Sequence, residues 1–197
     1  YCSTTASFNE DISAWNTSRV TTFKQMFDGA SSFNQDLPWD VSSGTNFYRM
    51  FYGAGAFNGT LSGWTFGSFT YVHQSNSVQD MFGNTPFTGK GVGSWDVSKL
   101  TTIYLMFTSA RSFDGDVSTW NTSNVADSAQ QAFAATALNR DLSGWQTGKI
   151  TSMAYMFVGA TRFNGAVGTW DTSRVTTFQG MFDGASSFNQ DLPWDVS

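Results

Sequence analysis

The chain contains the stretch WNTSRVTTFKQMFDGASSFNQDLPWDVS at residues 15–42, and variants of this stretch recur along its 197 residues. Its tryptophans belong to a series with a common spacing of about 25 residues. That series is Trp15, Trp39, Trp64, Trp95, Trp120, Trp145, Trp170 and Trp194. Internal repeats of about 20–50 residues are typical of proteins whose successive copies stack and bury a shared core. The sequence therefore predicts one continuous array of repeats.

Two further aromatic series run in phase with the tryptophans. One is Phe27, Phe51, Phe82, Phe107, Phe133, Phe157 and Phe182, and methionine precedes every member except Phe133. The other is Phe8, Phe33, Phe57, Phe87, Phe113, Leu138, Phe163 and Phe188. Because stacked repeats bury one residue of each series per turn, we expect these side chains to form the core.

Each repeat contains two patterns that predict secondary structure. Apolar residues in the segment 23–30 are spaced i, i+3, i+4 and i+7, which is the spacing of one helix face. Leu37 and Trp39 have the period of a strand. One short strand and one short helix per ~25-residue turn predict an α/β fold, a right-handed leucine-rich-repeat-like solenoid with a parallel sheet. The helical spacing disfavours the alternative, a pure β-helix.

A longer period is superimposed on the short one. Residues 170–197 repeat residues 15–42 with three differences in 28 positions, at an offset of 155 residues. We expect residues 1–197 to form a single continuous array of about eight turns, with an irregular insertion at residues 65–77. Since both ends of the chain fall inside a repeat, we also expect a longer native array with a 155-residue super-repeat.

The composition disfavours several classes of protein and site. Ten Lys and Arg against fifteen Asp and Glu give a net charge of −5, which makes nucleic acid a poor partner. One cysteine, Cys2, cannot form a disulfide within the chain or a cysteine-based zinc site. No apolar run approaches the ~20 residues of a membrane span. No catalytic motif stands out, so we expect a protein that is not an enzyme and has no catalytic residues.

Two candidate sites come from sequons and from the insertion. The Asn-x-Ser/Thr sequons, which accept N-linked glycans, are at Asn16, Asn58 and Asn121. Insertions in repeat proteins often form loops on a binding face. The candidate partner contacts in this insertion are Phe66, Phe69, Tyr71 and His73. The alternative is that these side chains pack beneath the array.

A third candidate site comes from acidic residues that recur three residues after the third aromatic series. Stacked carboxylates repel one another, and a bound Ca²⁺ would relieve that repulsion. The calcium candidates are Asp11, Asp36, Asp116 and Asp141. The alternative is that these carboxylates are solvated or accept bonds from turn amides. Asparagines that directly follow the same aromatic series predict a ladder of side chains that bonds backbone groups. No other cofactor is indicated.

Several segments resemble the BspA-like bacterial surface-protein repeat, a leucine-rich-repeat-related family largely of unknown function. The resemblance lies in WNTSRVT at residues 15–21, MFDGA at residues 26–30 and FNQDL at residues 33–37, and it extends over residues 1–197. The pattern departs from the family at residues 64–82 and at Ala132 and Phe133. The resemblance implies an extracellular or cell-surface location, a binding or structural role, and no catalytic residues.

The sequence therefore predicts a non-enzymatic extracellular structural or adhesive repeat protein, a building block of a cell-surface filament or appendage. We expect it to associate with itself end to end or laterally, and to contact glycans or another surface protein. The alternative is a monomeric surface receptor or adhesin module that binds a glycan or a protein.

Overall fold

The structure is a computed structural model that describes residues 7–67 and 77–194, and within these residues successive repeats stack on one another. Backbone hydrogen bonds connect the corresponding segments of neighbouring repeats. The N–H of Phe23 donates to the carbonyl of Asn46 at 2.8 Å, and the N–H of Phe27 donates to the carbonyl of Met50 at 2.8 Å. The ~25-residue period of the sequence is therefore the period of the stack.

The predicted α/β fold with a parallel sheet is wrong. In the described residues the structure has no α-helix and no extended strand. Residues Val92–Ser94 form a short 3-10 helix, and parallel pairing is limited to isolated bridges such as the one between Thr22 and Asn46. A leucine-rich-repeat-like solenoid with a sheet on one side is thus not the architecture of this chain.

Consecutive tight turns replace the predicted helix in the turn segment, which we define as residues 22–30 and their equivalents in the other repeats. The N–H of Met26 donates to the carbonyl of Phe23 at 3.2 Å, and the N–H of Asp28 donates to that of Gln25 at 3.3 Å. These bonds reach three residues back, whereas an α-helix bonds four residues back. The N–H groups between them point away and bond the next repeat. In each turn segment, alternate backbone N–H groups therefore bond within the segment, and the N–H groups between them bond the next repeat.

Left-handed residues at two positions of each turn segment cause this division. In the first complete repeat they are Gln25 (φ 55°) and Gly29 (φ 71°). The equivalent residues are Arg49 and Gly53, Asp80 and Asn84, Leu105 and Ser109, Gln131 and Ala135, Tyr155 and Gly159, and Gly180 and Gly184. A left-handed residue every four positions interrupts a right-handed helix. Phe23, Phe27 and Ala30 still face the core, so turns reproduce the apolar spacing of a helix.

The three aromatic series form the core, as predicted, although members in the outermost described repeats are less buried and Trp15 is 54% exposed. Phe33 and Phe57 stack with ring centroids 5.9 Å apart, and Trp145 and Trp170 stack at 6.1 Å. The second and third series also face each other within a repeat, since the rings of Phe157 and Phe163 are 3.9 Å apart. Interior rings thus touch both along the stack and across it.

The predicted strand is an extended segment with little backbone pairing. Between Phe33 and Trp39, the N–H of Leu37 donates to the carbonyl of Thr60 in the next repeat at 3.0 Å. Side chains make the other connections here. The indole Nε1 of Trp39, for example, donates to the carbonyl of Ile12 in the preceding repeat at 3.0 Å.

Candidate functional site

A ladder of side-chain oxygens runs along the extended segments, as the asparagine series predicted. The Oδ1 of Asn9 accepts a bond from the N–H of Asn34 at 2.8 Å, and the Oδ1 of Asn34 accepts one from the N–H of Asn58 at 2.8 Å. The ladder positions are Asn9, Asn34, Asn58, Thr88, Asp114, Asn139, Asn164 and Asn189. The ladder oxygens accept hydrogen bonds from backbone N–H groups that would bond a neighbouring strand if the segments formed a sheet.

Long side chains after some ladder positions reach back to the preceding repeat. Gln190 donates from Nε2 to the carbonyl and the Oδ1 of Asn164 at 3.2 and 3.1 Å. Arg140 occupies the equivalent position opposite Asp114, and its Nη2 lies 3.1 Å from Oδ2. The amide of Gln190 therefore pairs with the amide of Asn164, and the guanidinium of Arg140 pairs with the carboxylate of Asp114. Sequence reasoning missed this matching, although the residue after each ladder position carries the signal.

The candidate glycosylation sites differ in their surroundings. Asn16 and Asn121 are exposed, and each accepts a bond at Oδ1 from the backbone N–H two residues on, at 3.2 and 3.1 Å. Asn58 is half-buried and belongs to the ladder, because its Oδ1 accepts bonds from the N–H and Oγ1 of Thr88 at 3.0 and 2.8 Å. Glycosylation stays a prediction, and Asn16 and Asn121 offer the more accessible amides.

The calcium candidates accept hydrogen bonds from nearby backbone groups. Asp11 and Asp141 each accept from the N–H of a serine two residues on, at 2.9 and 2.8 Å. Asp116 accepts from both the N–H and the Oγ of Ser118. Asp36 accepts from the N–H of Thr60 in the next repeat at 2.6 Å. The described residues contain no group of three or more carboxylate, histidine or cysteine side chains that could hold a metal ion. Calcium binding stays a prediction.

These turn bonds lower the pKa of the carboxyl groups that accept them. The hydrogen bonds that Ser118 donates hold the pKa of Asp116 below its ordinary value, with the side-chain bond as the larger cause. The bonds from Ser143 lower the pKa of Asp141 in the same way. In Asp11 the backbone bond from Ser13 is the larger cause of the lowered pKa. The carboxylates are thus engaged as turn acceptors in their ionised form.

The candidate contacts of the insertion are only partly within the described residues. Phe69, Tyr71 and His73 lie outside them. Phe66 is fully buried, and its ring packs edge-on against Phe47 and Trp95. Its position two residues after a tryptophan is the one that Val41 occupies in an earlier repeat, and Val41 is also buried. Phe66 therefore contributes to the core in this structure.

A surface that sequence reasoning missed is formed by the outward side chains of the turn segments. We call it the tyrosine face, because it contains every tyrosine among the described residues: Tyr48, Tyr52, Tyr104 and Tyr155. All four are half-exposed, and none belongs to the aromatic series of the core. The sequence did contain a signal: the described tyrosines occur only at turn-segment positions where no repeat has phenylalanine or tryptophan.

One end of the tyrosine face carries charged groups. The guanidinium of Arg49 lies 3.9 Å from the ring centroid of Tyr52, and its Nε is 3.4 Å from Oδ2 of Asp28. Lys24 lies over the ring of Tyr48 at 5.5 Å. Burial raises the pKa of Asp80, and the opposing effects of the Gln79 bond and the Arg49 charge are smaller. Cations therefore cover two of the four tyrosine rings.

Stacked turn segments, buried aromatic series and a polar ladder define a tandem repeat protein. Residues 2–79 and 76–194 match the family described as "Mycoplasma protein of unknown function, DUF285". The chain belongs to this family. Comparisons with curated proteins and with solved structures found no match. Among the described residues, no helix has the length and apolar character needed to cross a membrane.

Proposed function

We propose that the chain is a non-enzymatic extracellular repeat protein with a structural or adhesive role, and that it builds a cell-surface filament or appendage. The observation that carries this proposal is the continuity of the aromatic core. Rings of the second series stack from repeat to repeat, for example Phe51 on Phe82 and Phe82 on Phe107, both at 5.3 Å. A core that is continuous along one axis resists bending and can be extended by further repeats.

The direction of the backbone bonds supports association with a defined polarity. In the turn segments, N–H groups of one repeat donate to carbonyls of the following repeat, as from Gln25 to Tyr48 and from Tyr155 to Gln179. A second chain that continues this pattern must stack head to tail. Such heterologous contacts lead to open filaments when their rotation does not close a ring.

The repeat at residues 170–194 offers a surface suited to such a contact. Phe178, Phe182 and Trp194 are partly buried and pack against the core. Together with Leu192, which is 37% exposed, they border a cavity of about 420 Å³. Exposed apolar surface of this kind favours contact with a repeat of a second copy.

The remaining parts of the proposal depend on the resemblance to the BspA-like repeat. That resemblance suggests the extracellular location and the adhesive role. The non-enzymatic assignment is supported by the carboxylates, because turn amides and ladder groups engage them as acceptors. Glycans on Asn16, Asn58 or Asn121 would add bulk to the side of the stack and leave its axis free.

Electron microscopy and light scattering of the purified chain test the proposal. We expect elongated assemblies whose mass rises with protein concentration. Leu192→Arg places a charge on the stacking surface and should shorten the assemblies. Ser187→Arg adds the same charge to an exposed lateral position of the same repeat and should leave them unchanged. Monomers at every concentration, or equal effects of the two variants, would contradict the filament role.

A second candidate function is a monomeric module that binds a glycan or a protein. The grouping of the described tyrosines on one face favours it, since tyrosine is enriched at binding surfaces. Isolated short rods in the micrographs would favour this function over the first.

A further inference from the structure

The middle of the tyrosine face is free of charge. The stretches 103–110, 128–136 and 152–160 contain no acidic or basic residue, although the chain carries a net charge of −5. Charged groups lie at the borders of this region: Asp80 and Asp183 are in the flanking repeats, and Arg111, Asp127 and Arg162 lie within two residues of the stretches in sequence. An uncharged surface on an acidic chain suits a neutral ligand better than an anionic one.

Two tyrosine rings in this uncharged region are open. Cations cover Tyr48 and Tyr52, whereas no cation of the described residues lies over Tyr104 or Tyr155. The ring of Tyr155 packs against Gly180 of the next repeat, where an added Cβ would come within 2.5 Å of two ring carbons, and the side chain is half-exposed. Glycine in the neighbouring repeat therefore leaves room for this half-exposed ring.

Unused hydrogen-bonding groups accompany the open rings. Gln130 and Gln131 are half-exposed, and their side-chain amides bond no other described residue. The hydroxyl groups of Tyr104 and Tyr155 likewise have no partner among the described residues. By contrast, the side-chain amide of Gln25 on the charged part of the face donates to Asp28 at 3.1 Å. The uncharged region thus combines aromatic surface with free donors and acceptors.

We propose that Tyr104, Gln130, Gln131 and Tyr155 form a binding site for a neutral oligosaccharide. The C–H groups of a sugar ring pack on a flat aromatic side chain, and its hydroxyls pair with amides and phenols. Tyr104 and Tyr155 are two repeat steps apart, and the core rings beneath them are spaced by 5.7 and 5.9 Å per step. The site therefore suits a chain of several sugar residues. The biological use of this site rests on the second candidate function, the monomeric binding module. The filament role does not depend on the site.

Calorimetric titration with neutral and anionic hexasaccharides tests the site. The probes are cellohexaose, laminarihexaose and maltohexaose, with a heparin-derived hexasaccharide as the anionic comparison. We expect at least one neutral probe to bind and the heparin fragment not to bind. Tyr155→Ala should weaken binding about tenfold, because it removes one of the two aromatic contacts of the site.

Matched variants separate the site from an effect on folding. Tyr52→Ala removes a tyrosine from the charged part of the same face and should leave affinity unchanged. Tyr155→Phe keeps the ring, so it should retain most of the binding that Tyr155→Ala loses, and Gln131→Ala should weaken binding without changing the melting temperature. Failure of every neutral probe to bind, binding of heparin alone, or equal losses in Tyr52→Ala and Tyr155→Ala would overturn the proposal. None of these results bears on filament formation.

Discussion

Arg140 holds the carboxylate of Asp114 through Nη2 and Nε, with an Nη2–Oδ2 distance of 3.1 Å. Asp114 is the only acidic residue at a ladder position, and Arg140 is the only arginine that directly follows one. At the equivalent place two repeats on, an asparagine and a glutamine, Asn164 and Gln190, make the corresponding contacts. The ladder therefore tolerates a charge where the next repeat supplies its counter-charge.

A double-mutant cycle tests this matching. Arg140→Gln leaves the carboxylate of Asp114 without its cation, and we expect a loss of about 0.5–1 kcal/mol in the free energy of unfolding, because the pair is partly exposed. Adding Asp114→Asn recreates the Asn164–Gln190 pairing and should restore stability. Urea unfolding at low salt measures both variants. Arg162→Gln changes an exposed arginine and serves as the control; a double variant no more stable than Arg140→Gln would show that the residues are not coupled.

Asp80 should make stability depend on pH. Burial raises the pKa of Asp80 above the ordinary 3.8, so the folded chain binds this proton more tightly than the unfolded chain. Its contribution therefore favours folding at low pH, and this contribution is lost as the pH rises through the folded-state pKa. Asp80→Asn should raise the melting temperature at pH 7 and leave it nearly unchanged at about pH 3, where both states are protonated. Asn also keeps the left-handed backbone accessible at this position.

The control for Asp80 is an exposed carboxylate of another turn segment. Asp183→Asn should not raise the melting temperature at pH 7, since the side chain of Asp183 is exposed. If Asp80→Asn lowers the melting temperature at pH 7, the attraction of Arg49 outweighs desolvation and the expected sign is incorrect.

The tryptophan indoles should contribute stability beyond their stacking. Trp120 is 2% exposed and donates from Nε1 to the carbonyl of Val92 at 3.0 Å. Trp120→Phe keeps an aromatic ring but removes this bond and some volume, so we expect a loss of at least about 1 kcal/mol. Trp15→Phe, at a side chain that is 54% exposed, should have a much smaller effect. Equal losses in thermal unfolding would show that the indole bond adds nothing.

The spacing of the aromatic residues predicts the repeat and its core. Trp39, Phe33 and Phe27 stack on their equivalents because one residue of each series is needed per repeat to fill the interior. The asparagine ladder is predictable for the same reason, since a polar side chain recurs at a fixed distance from a core residue.

The conformation of the turn segment could not be predicted from the same pattern. An i, i+3, i+4, i+7 spacing is produced both by a helix and by consecutive turns that end in left-handed residues. Glycine at Gly29 is compatible with either structure, because it also ends helices. Gln25, Leu105 and Tyr155 give no local signal for a positive φ, since ordinary side chains rarely adopt it. Inter-repeat bonds impose this conformation, and they are absent from any single repeat.

The tyrosine face was not predicted, because the aromatic residues of the insertion gave the more conspicuous signal. Phe66 shares its place in the repeat with the buried Val41, so its position after a tryptophan indicated the core. Tyr104 and Tyr155 occupy outward positions between the core residues of their turn segments. Their grouping depends on the stacking of the repeats.

The most direct test of the turn-segment structure is a comparison of glycine and alanine at its first left-handed position, which lies inside the predicted helix. Gln131 has a φ of 53°, and its side chain is half-exposed. In a left-handed position, Gln131→Gly should be more stable than Gln131→Ala by about 1 kcal/mol in the free energy of unfolding. In the interior of a helix the order would be reversed, because alanine stabilises a helix by about 1 kcal/mol relative to glycine. Chemical unfolding of the two variants decides between them: a more stable Gln131→Gly supports the stacked-turn account, and a more stable Gln131→Ala would contradict it.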